Sequence, residues 1–525
     1  MPDLVKLTRI PSLKTAADFR QHTKSLAIEL PCEDSIVMGT ASPLAQPVTG
    51  PAINGKTIGN RYAIQPMEGW DGTTAGGITD EIRRRWRRFG ESGAKLIYGG
   101  EAMAVRADGR ANPNQLLINE ATKSDLAELR SLLIAAHKEH FGDGDDLVIG
   151  FQLTHSGRFC KPNDKKCLEP RVAYRHPILD RKFNVSGDEQ VWTDGEIKQL
   201  IQNYVEAAKI AWDVGADFVD IKHCHGYLLH EFLSAYTRPG IYGGSFENRT
   251  RILIEIIDGI RASGNKIDLG VRLSAFDFVP FKPDPALSQP GKLGPGVPED
   301  FSHCLPYRYG FGVNCFNPIE YDLSETFQFA ELCLRLGVKI LNLSAGSPYY
   351  NPHIQRPAAY PPSDGYQPPE DPLVGVARQI NVVRQIKEHL IRFEAGRPIA
   401  WRDTEDTSLT GIGGARHEAS RTGLIVIGSA YSYLQEYLPQ VAQFVVRHGW
   451  TDMIGLGRMT LAYPAIFADA LKKGTLEKKL ICRTFSDCTT APRNGLISGC
   501  YPLDKYYNAK PEFQKLKEIK KATGA

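Results

Sequence analysis

The chain has 525 residues, of which 42% are hydrophobic and 23% are charged, and these proportions are ordinary for a globular protein. The 63 Lys and Arg residues nearly balance the 60 Asp and Glu residues, so the net charge of +3 gives no reason to expect a nucleic-acid partner. No apolar run reaches the roughly 18 residues that span a bilayer, and the N-terminus lacks the apolar core of a signal peptide. The ten cysteines are sparse, which indicates reduced thiols. We therefore expect a soluble cytoplasmic protein without a membrane partner.

Eight short apolar runs, each ended by glycine or polar residues, are typical of parallel strands covered on both faces. They are Arg61–Pro66, Lys95–Glu101, Leu147–Thr154, Phe218–Lys222, Leu269–Ser274, Lys339–Ser344, Leu424–Gly428 and Met453–Gly457. Amphipathic helices are predicted between most of them, for example over Asp194–Val214, Glu247–Ala262, Ser324–Leu336 and Leu373–Ile391. Eight strand–helix units in about 400 residues favour an α/β protein with a (β/α)₈ barrel over a doubly wound sheet.

The same pattern divides the chain into an N-terminal extension (1–50), a barrel (51–475) and a C-terminal extension (476–525). The surplus length lies in insertions near 281–322, 345–371 and 401–421, and a ninth apolar run, Pro398–Trp401, is assigned to an insertion as well. The first two insertions are rich in proline and follow strand carboxyl ends, so on a barrel they would form a lid over the catalytic face. The run RRRWRR (83–88) predicts a solvated helix face plus Trp86.

Catalytic groups of such barrels lie at the carboxyl ends of the strands, and the residues there are mostly hydrogen-bond donors. Glycines after the last two predicted strands let backbone N–H groups approach an anion, and Arg458 adds a guanidinium, although tight turns alone would explain these glycines. Gln152 offers a donor and an acceptor in one plane and Arg272 offers a cation, although each is also an ordinary polar strand end. Together, the residues at these strand ends suit a ligand that carries a phosphate and a carbonyl-rich ring.

Five motifs resemble those of the Old Yellow Enzyme family of FMN-dependent ene-reductases (NADH:flavin oxidoreductases), and they occur in that family's order. They are NRYAIQPM (60–67), FQLTHSGR (151–158), HGYLLHEFLS…YGGSFENR (225–249), VRLSA (271–275) and GLGR (455–458). The resemblance covers roughly Gly50 to Leu471 and is nearest the 2,4-dienoyl-CoA reductase-like branch. It implies a TIM barrel that binds FMN non-covalently and takes hydride from NADH or NADPH.

The resemblance also implies roles for individual residues. Tyr227 would protonate the α-carbon of a substrate after hydride from flavin N5 reaches the β-carbon, since a phenol with a pKa near 10 is protonated at neutral pH. Trp70 matches an aromatic residue of the substrate pocket. The residues that would contact the cofactor are Pro66, Met67, Glu68, Ala102, Gln152, Arg272, Gly428, Ser429, Gly457 and Arg458.

Two positions depart from the family. Lys222 and His225 stand where the family usually has a His-x-x-His or His-x-x-Asn pair that holds the substrate oxygen. Lys222 either polarises a substrate oxygen together with His225, or pairs with a carboxylate such as Glu68 and leaves His225 alone on the substrate. Glu68 replaces a Cys or Thr that touches the flavin; ionised it would disfavour an anionic reduced ring, and protonated it could donate a hydrogen bond.

A metal site in the run KHCH is disfavoured, because strand alternation turns His223 away from Lys222 and into the barrel wall. The related branch holds a [4Fe–4S] cluster on four cysteines at roughly C-x2-C-x3-C-x11-C. Cys488 and Cys500 match the last pair, whereas the preceding positions carry Ile481 and Thr484, and Cys482 is out of register. We therefore expect no metal, and reduction directly by NADH or NADPH.

The leading interpretation is thus an enzyme, an FMN-dependent oxidoreductase that reduces the activated C=C bond of a small molecule, with Tyr227 as the proton donor. The alternative is a flavin-dependent dehydrogenase or demethylase that acts on a small amine or alicyclic compound in the same site. An interpretation from another class is a flavin or phosphate binder without turnover, against which Tyr227, Gln152 and Arg272 argue. A homo-oligomer is compatible with the sequence.

Overall fold

The computed structural model describes residues 7–396 and 422–525. Eight strands close a parallel barrel in the order β1-β10-β9-β8-β5-β4-β3-β2, and a separate antiparallel hairpin pairs β6 with β7. The strands are β1 Tyr62–Ile64, β2 Leu96–Ala104, β3 Val148–Thr154, β4 Phe218–Ile221, β5 Asp268–Ser274, β6 Phe281–Pro283, β7 Gly296–Pro298, β8 Ile340–Ser344, β9 Ile425–Gly428 and β10 Met453–Leu456.

Helices between the strands cover the outside of the barrel, and further helices lie in the loops and near the two ends of the chain. They are α1 Ala16–Ser25, α2 Asp80–Gly90, α3 Lys123–Phe141, α4 Leu179–Lys182, α5 Asp194–Asp213, α6 Leu228–Leu233, α7 Phe246–Ala262, α8 Ser324–Arg335, α9 Pro352–Gln355, α10 Pro372–Glu394, α11 Leu438–Arg447, α12 Met459–Ala462, α13 Ile466–Lys473, α14 Asp487–Arg493, α15 Lys505–Asn508 and α16 Glu512–Thr523. In the described part of the chain, none of them has the length and apolar character needed to cross a bilayer.

The predicted (β/α)₈ barrel is confirmed, with all eight predicted strands in their predicted order. The largest difference is in β2, which continues to Ala104 because the chain bulges between Gly99 and Ala102 and then resumes pairing with β3. Gly99 and Gly100 take φ angles of 109° and 55°, which glycine adopts without strain. The run Pro398–Trp401 and the insertion near 401–421 lie outside the described residues, and the limits 1–50, 51–475 and 476–525 stay a prediction.

In the barrel interior, large side chains on some strands fill the space beside glycines on the neighbouring strands. Phe218 of β4 occupies the space beside Gly150 of β3 and Gly270 of β5; a Cβ on Gly150 would lie 2.3 Å from the ring and one on Gly270 would lie 3.2 Å from it. Residues before β1, including Ile53 and Ile58, pack into the same inner cluster. The interior is therefore a packed core, and a ligand site has to lie at an end of the barrel.

The solvated face predicted for RRRWRR is wrong for Arg85. The Arg85 side chain is only 3% exposed and forms ion pairs with Asp71, after β1, and Glu101, at the bulge of β2. Trp86 on the same helix is fully buried against Gly100. A buried guanidinium needs carboxylate partners, and these partners are distant in sequence, so the local pattern gave no sign of them.

The C-terminal residues cross the end of the barrel at which the strands finish. The backbone N–H of Ser498 donates to Asp71 Oδ1 at 2.8 Å, and Arg493 Nη2 donates to the carbonyl oxygen of Pro348 at 2.9 Å. Arg458, directly after β10, donates to Thr489 Oγ1 at 3.1 Å. This segment, 486–498, therefore joins the loops that follow β1, β8 and β10 into one cover.

Candidate active site

An ion pair between Glu68 and Lys222 lies at the mouth of the barrel. Lys222 follows β4, Glu68 follows β1, and Lys222 Nζ lies 2.6 Å from Glu68 Oε1. The lysine side chain is 2% exposed and the glutamate side chain 21%, so the ammonium depends on this partner for its charge balance. The other oxygen of Glu68 accepts a hydrogen bond from Trp70 Nε1 at 3.1 Å. Of the two roles left open for Lys222, the structure contains the pairing with Glu68.

Two phenols adjoin this ion pair. Lys222 Nζ lies 3.4 Å from the centroid of the Tyr227 ring, which is a cation–π contact. The Tyr227 and Tyr349 hydroxyl oxygens are 2.8 Å apart and share a hydrogen bond. Burial raises the pKa of Tyr227 well above its usual value, and the negative charge of Glu68 raises it further. Burial also raises the pKa of Tyr349. Both phenols are therefore protonated at neutral pH and can donate.

The turn after β4 fixes where the Tyr227 phenol lies. His225 and Gly226 take φ angles of 66° and 77°, which reverse the chain before α6 begins at Leu228. A Cβ on Gly226 would lie 2.9 Å from the Tyr350 ring, so the close packing here requires glycine. The Tyr227 ring then packs in a cluster with Phe159, Trp70 and Tyr349, and it is 1% exposed. Trp70 thus packs beside Tyr227, and its role in a substrate pocket stays a prediction.

His225 is held by strand ends on the other side of the turn. Its backbone N–H donates to Ser274 Oγ at 2.9 Å, and its Nε2 lies 2.9 Å from Ser344 Oγ. Burial lowers the pKa of His225 well below its usual value, and the positive charges of Arg272 and Lys222 lower it further. The imidazole is therefore neutral at physiological pH. The structure thus groups Lys222 with Glu68 and leaves His225 hydrogen-bonded to Ser344.

Gln152, Asp220 and Arg272 form a second buried group on β3, β4 and β5. Gln152 Nε2 donates to Asp220 Oδ2 at 2.5 Å, and the backbone N–H of Arg272 donates to Asp220 Oδ1 at 2.7 Å. Arg272 Nη1 donates to the carbonyl oxygen of Pro66 at 3.2 Å. Burial raises the pKa of Asp220 to about 6. Sequence reasoning missed Asp220, although an acid inside the apolar strand FVDI was a signal for it.

The residues after β9 and β10 form a third group with Gln65, just beyond the end of β1. Gln65 Nε2 donates to Asn342 Oδ1 at 2.9 Å and to Ser429 Oγ at 3.2 Å, and it therefore fixes the end of β9 against β1 and β8. Gly428, which ends β9, is buried against the Tyr431 hydroxyl. A Cβ on Gly457 would meet only ordinary contacts, at 3.6 Å and beyond. The surface at Gly457 is therefore open enough for a ligand to lie against the backbone.

The described residues fit a flavin. Arg272 Nε is buried and lacks a hydrogen-bond partner within the described part of the chain. Gln152 uses one amide hydrogen on Asp220, which leaves a donor and an acceptor for a ring edge. Ala102 donates its backbone N–H to the carbonyl oxygen of Met67 at 3.0 Å, which holds the ends of β1 and β2 together. Gln152 and Arg272 would hold the ring, and the backbone around Ser429 and Gly457 would hold the phosphate.

His223 of the KHCH run points away from the barrel mouth and toward helix α8. His223 is fully buried, its Nδ1 lies 2.9 Å from the carbonyl oxygen of Ile221, and its ring packs on Phe329. In residues 7–396 and 422–525, no group of three or more His, Cys, Asp or Glu side chains is arranged to hold a metal ion.

Residues 44–285 match the profile of the NADH:flavin oxidoreductase / NADH oxidase family. An NADPH dehydrogenase from Geobacillus sp. (strain WCH70) is 33% identical over 234 residues, which are 43% of this chain and 63% of that protein. An NADH:flavin oxidoreductase from Gibberella zeae is 29% identical over 323 residues, which are 56% of this chain and 65% of that protein. The chain thus spans a little under two thirds of the length of these relatives.

Solved structures with similar folds include a 2-naphthoyl-CoA reductase in complex with 2-naphthoyl-CoA. Its TM-score is 0.58 at 18% identity, over 89% of this chain and 57% of that one. A histamine dehydrogenase from Rhizobium sp. 4-9 has a TM-score of 0.55 at 18% identity, over 87% of this chain and 52% of that one. At such identities the similarity concerns the fold.

Proposed function

We propose that the chain, whose residues 44–285 match the profile of the NADH:flavin oxidoreductase / NADH oxidase family, is an FMN-dependent oxidoreductase that reduces the activated C=C bond of a small molecule. NADH or NADPH is the reductant. The observation that carries this proposal is the buried phenol of Tyr227, which is protonated and hydrogen-bonded to Tyr349 beside the Lys222–Glu68 pair. FMN, held at its ring by Gln152 and Arg272 and at its phosphate by the backbone around Ser429 and Gly457, would supply the hydride for this reduction.

Tyr227 delivers the proton that completes the reduction. A phenol is a suitable general acid here because the α-carbon of an enolate is a strong base, so the phenol does not need to be acidic in water. Its hydroxyl already lies 2.8 Å from the hydroxyl of Tyr349, which can return a proton to Tyr227 after each transfer. Tyr349 lies in the loop after β8 and is half-buried, so it connects the buried phenol with the solvent side.

Lys222 and His225 bind the substrate oxygen on which negative charge develops. The Lys222 ammonium has three donors and spends one on Glu68, so it can donate to a carbonyl, carboxylate or thioester oxygen without leaving its partner. His225 is neutral, and when Ser344 Oγ donates to its Nε2, its Nδ1–H provides a second donor for the substrate oxygen. Because the Lys222–Glu68 pair has no net charge, the site gains stabilisation mainly as the oxygen becomes negative, which favours the transition state over the ground state.

A second candidate function is the oxidation of a small amine. The observation that favours it is the Glu68 carboxylate, which is 21% exposed and lies among the rings of Trp70, Tyr227 and Tyr349. A carboxylate with aromatic faces is a suitable environment for an alkylammonium group. The substrate would then supply the hydride in place of the reduced nicotinamide, and an external electron acceptor, such as dioxygen or a redox protein, would have to take the two electrons from the reduced flavin.

The test is anaerobic reduction of the flavin-loaded protein, followed by reoxidation with a panel of enones, enoates, enoyl thioesters and nitro compounds. Bleaching of the flavin absorbance by NADH or NADPH and its recovery with an alkene acceptor would support the proposal. Bleaching by amines and not by NADH or NADPH would refute it and favour the second function. Tyr227→Phe should slow reoxidation about 10²-fold or more, while Tyr506→Phe, a change at an exposed tyrosine, should react like the wild type.

A further inference from the structure

A cleft separates the loop after β8 from helix α14. Three arginines from three segments line it, namely Arg356 after α9, Arg458 after β10 and Arg493 at the end of α14, together with the hydroxyl groups of Ser486 and Thr489. We refer to it as the arginine cleft.

The positive charge of the arginine cleft is only partly balanced. Arg493 forms an ion pair with Asp364 at 2.5 Å. Arg356 donates to Ser486 Oγ and Arg458 donates to Thr489 Oγ1, each at 3.1 Å, and the described residues provide neither of them with a carboxylate within 4.0 Å. Burial and the nearby charge of Arg356 lower the pKa of Arg458 to about 10, so its guanidinium is still charged at neutral pH. Two cations therefore face the cleft with neutral partners.

We propose that the arginine cleft binds the phosphate groups of a ligand whose reactive end reaches the site at Tyr227. Guanidinium groups donate to phosphate oxygens in a fork of two parallel hydrogen bonds, and serine and threonine hydroxyls add single donors. The remaining walls are tyrosine rings and prolines, including Tyr360, Tyr366 and Pro362, which suit the apolar or ring part of such a ligand. Either the hydride donor NADPH or a coenzyme A thioester carries phosphates of this kind.

The arginine cleft adjoins the reaction site through one residue. Arg493 Nη2 donates to the carbonyl oxygen of Pro348 at 2.9 Å, and its guanidinium carbon lies 5.1 Å from the Tyr349 ring centroid. The hydroxyl of Tyr349 in turn contacts Tyr227. Ser429 and Gly457, which fit the flavin phosphate, do not line the cleft, whereas Arg458, which the family resemblance assigns to the cofactor, does, so the cleft adjoins the flavin-phosphate site at Arg458. The link to turnover rests on the proposed function.

The first test measures binding of inorganic pyrophosphate to the flavin-loaded protein by calorimetry. The wild type should bind it, Arg356→Gln should bind about 10- to 100-fold more weakly, and Arg356→Lys should retain part of the affinity. Arg378→Gln is the matched control, because Arg378 is already neutralised by Glu370 at 2.6 Å; it should bind like the wild type. Equal binding by the wild type and Arg356→Gln, or no binding at all, would overturn the proposal. So would a parallel loss of FMN from Arg356→Gln, which would assign the cleft to the flavin phosphate.

The second test identifies the source of the phosphate. Arg356→Gln should raise the KM for NADPH about tenfold or more if the donor occupies the cleft. If a substrate occupies it, the same variant should raise the KM for an enoyl-CoA and leave that for the phosphate-free enoyl-pantetheine unchanged. Unchanged KM values for both ligands would overturn the proposal. If the protein reduces no acceptor at all, the proposed function fails, and the pyrophosphate titration still decides on the cleft.

Discussion

Replacing Glu68 by Gln should make the proton donor measurably more acidic. In the wild type, Glu68 balances Lys222 at 2.6 Å, and the Lys222 ammonium lies 3.4 Å from the Tyr227 ring centroid. Burial and the Glu68 charge raise the pKa of Tyr227, so the wild-type rate should hold to above pH 10. Without the carboxylate, the unbalanced ammonium stabilises the Tyr227 phenolate, and the pKa of Tyr227 falls. Because a general acid works only when protonated, activity is then lost at a lower pH.

The size of the effect follows from Coulomb's law. Two unit charges ~4 Å apart interact by about 4 kcal/mol at an effective dielectric constant of ~20, and one pKa unit corresponds to about 1.4 kcal/mol. Removing a full charge would therefore lower the pKa of Tyr227 by at most about 3. Since 21% of the Glu68 side chain is exposed, water screens part of this charge, and we expect a decrease of about 1 to 2.

The assay is the pH dependence of reoxidation of the reduced flavin by an enone in stopped flow, from pH 6 to pH 11. Glu68→Gln should shift the alkaline limb of the rate to lower pH. Lys222→Met, which keeps the carboxylate and removes the cation, should shift it to higher pH. An alkaline limb that moves the same way in both variants, or that persists in Tyr227→Phe, would refute the electrostatic coupling of the three side chains.

Three further outcomes are expected. Tyr349→Phe removes the hydroxyl that bonds Tyr227, so it should slow turnover about tenfold, with an altered solvent deuterium isotope effect, against about 10²-fold or more for Tyr227→Phe. Burial raises the pKa of Asp220 to about 6, so the folded state binds this proton more tightly than the unfolded state. The wild type therefore loses stability as the pH rises from about 4 through 6. Measured by calorimetry, the free energy of unfolding of Asp220→Asn should increase by about 1–3 kcal/mol relative to that of the wild type between pH 4 and pH 7. Trp86→Ala should lower the free energy of unfolding by about 3–5 kcal/mol in urea titrations, because Trp86 is fully buried, whereas Trp212→Ala, at a residue 37% exposed, should change it by about 0.5 kcal/mol or less.

The barrel could be read from the sequence because its strands are covered on both faces. Runs such as LVIGFQL and LIVIG leave no polar face, and the helices between them repeat with the period of an amphipathic helix. Strand ends were therefore located within a few residues, and with them Gln152, Lys222 and Arg272. The exception is the end of β2, where a bulge at two glycines is followed by renewed pairing with β3. This bulge packs against Trp86, a residue of another element, and local β-propensity therefore does not predict it.

The partners of the site residues could not be read in the same way. Tyr349 lies in a loop that also contains Tyr350, Tyr360 and Tyr366, and only the tertiary fold selects which of these hydroxyls meets Tyr227. Pairing of Lys222 with Glu68 was one of two alternatives, because residues 154 positions apart are brought together only when the barrel closes. The local sequence pattern predicts which residues lie at the mouth of the barrel, whereas their hydrogen-bond partners are determined only when the barrel closes.

The residues that cover the barrel mouth are synthesised after the strands that they cover. The last barrel strand ends at Leu456, whereas the contacts that close the mouth come from Thr489, Arg493 and Ser498. A ribosome adds these residues after every strand has been made, and chains fold while they are synthesised. The contacts that cover the mouth can therefore form only after the residues of every strand have been synthesised.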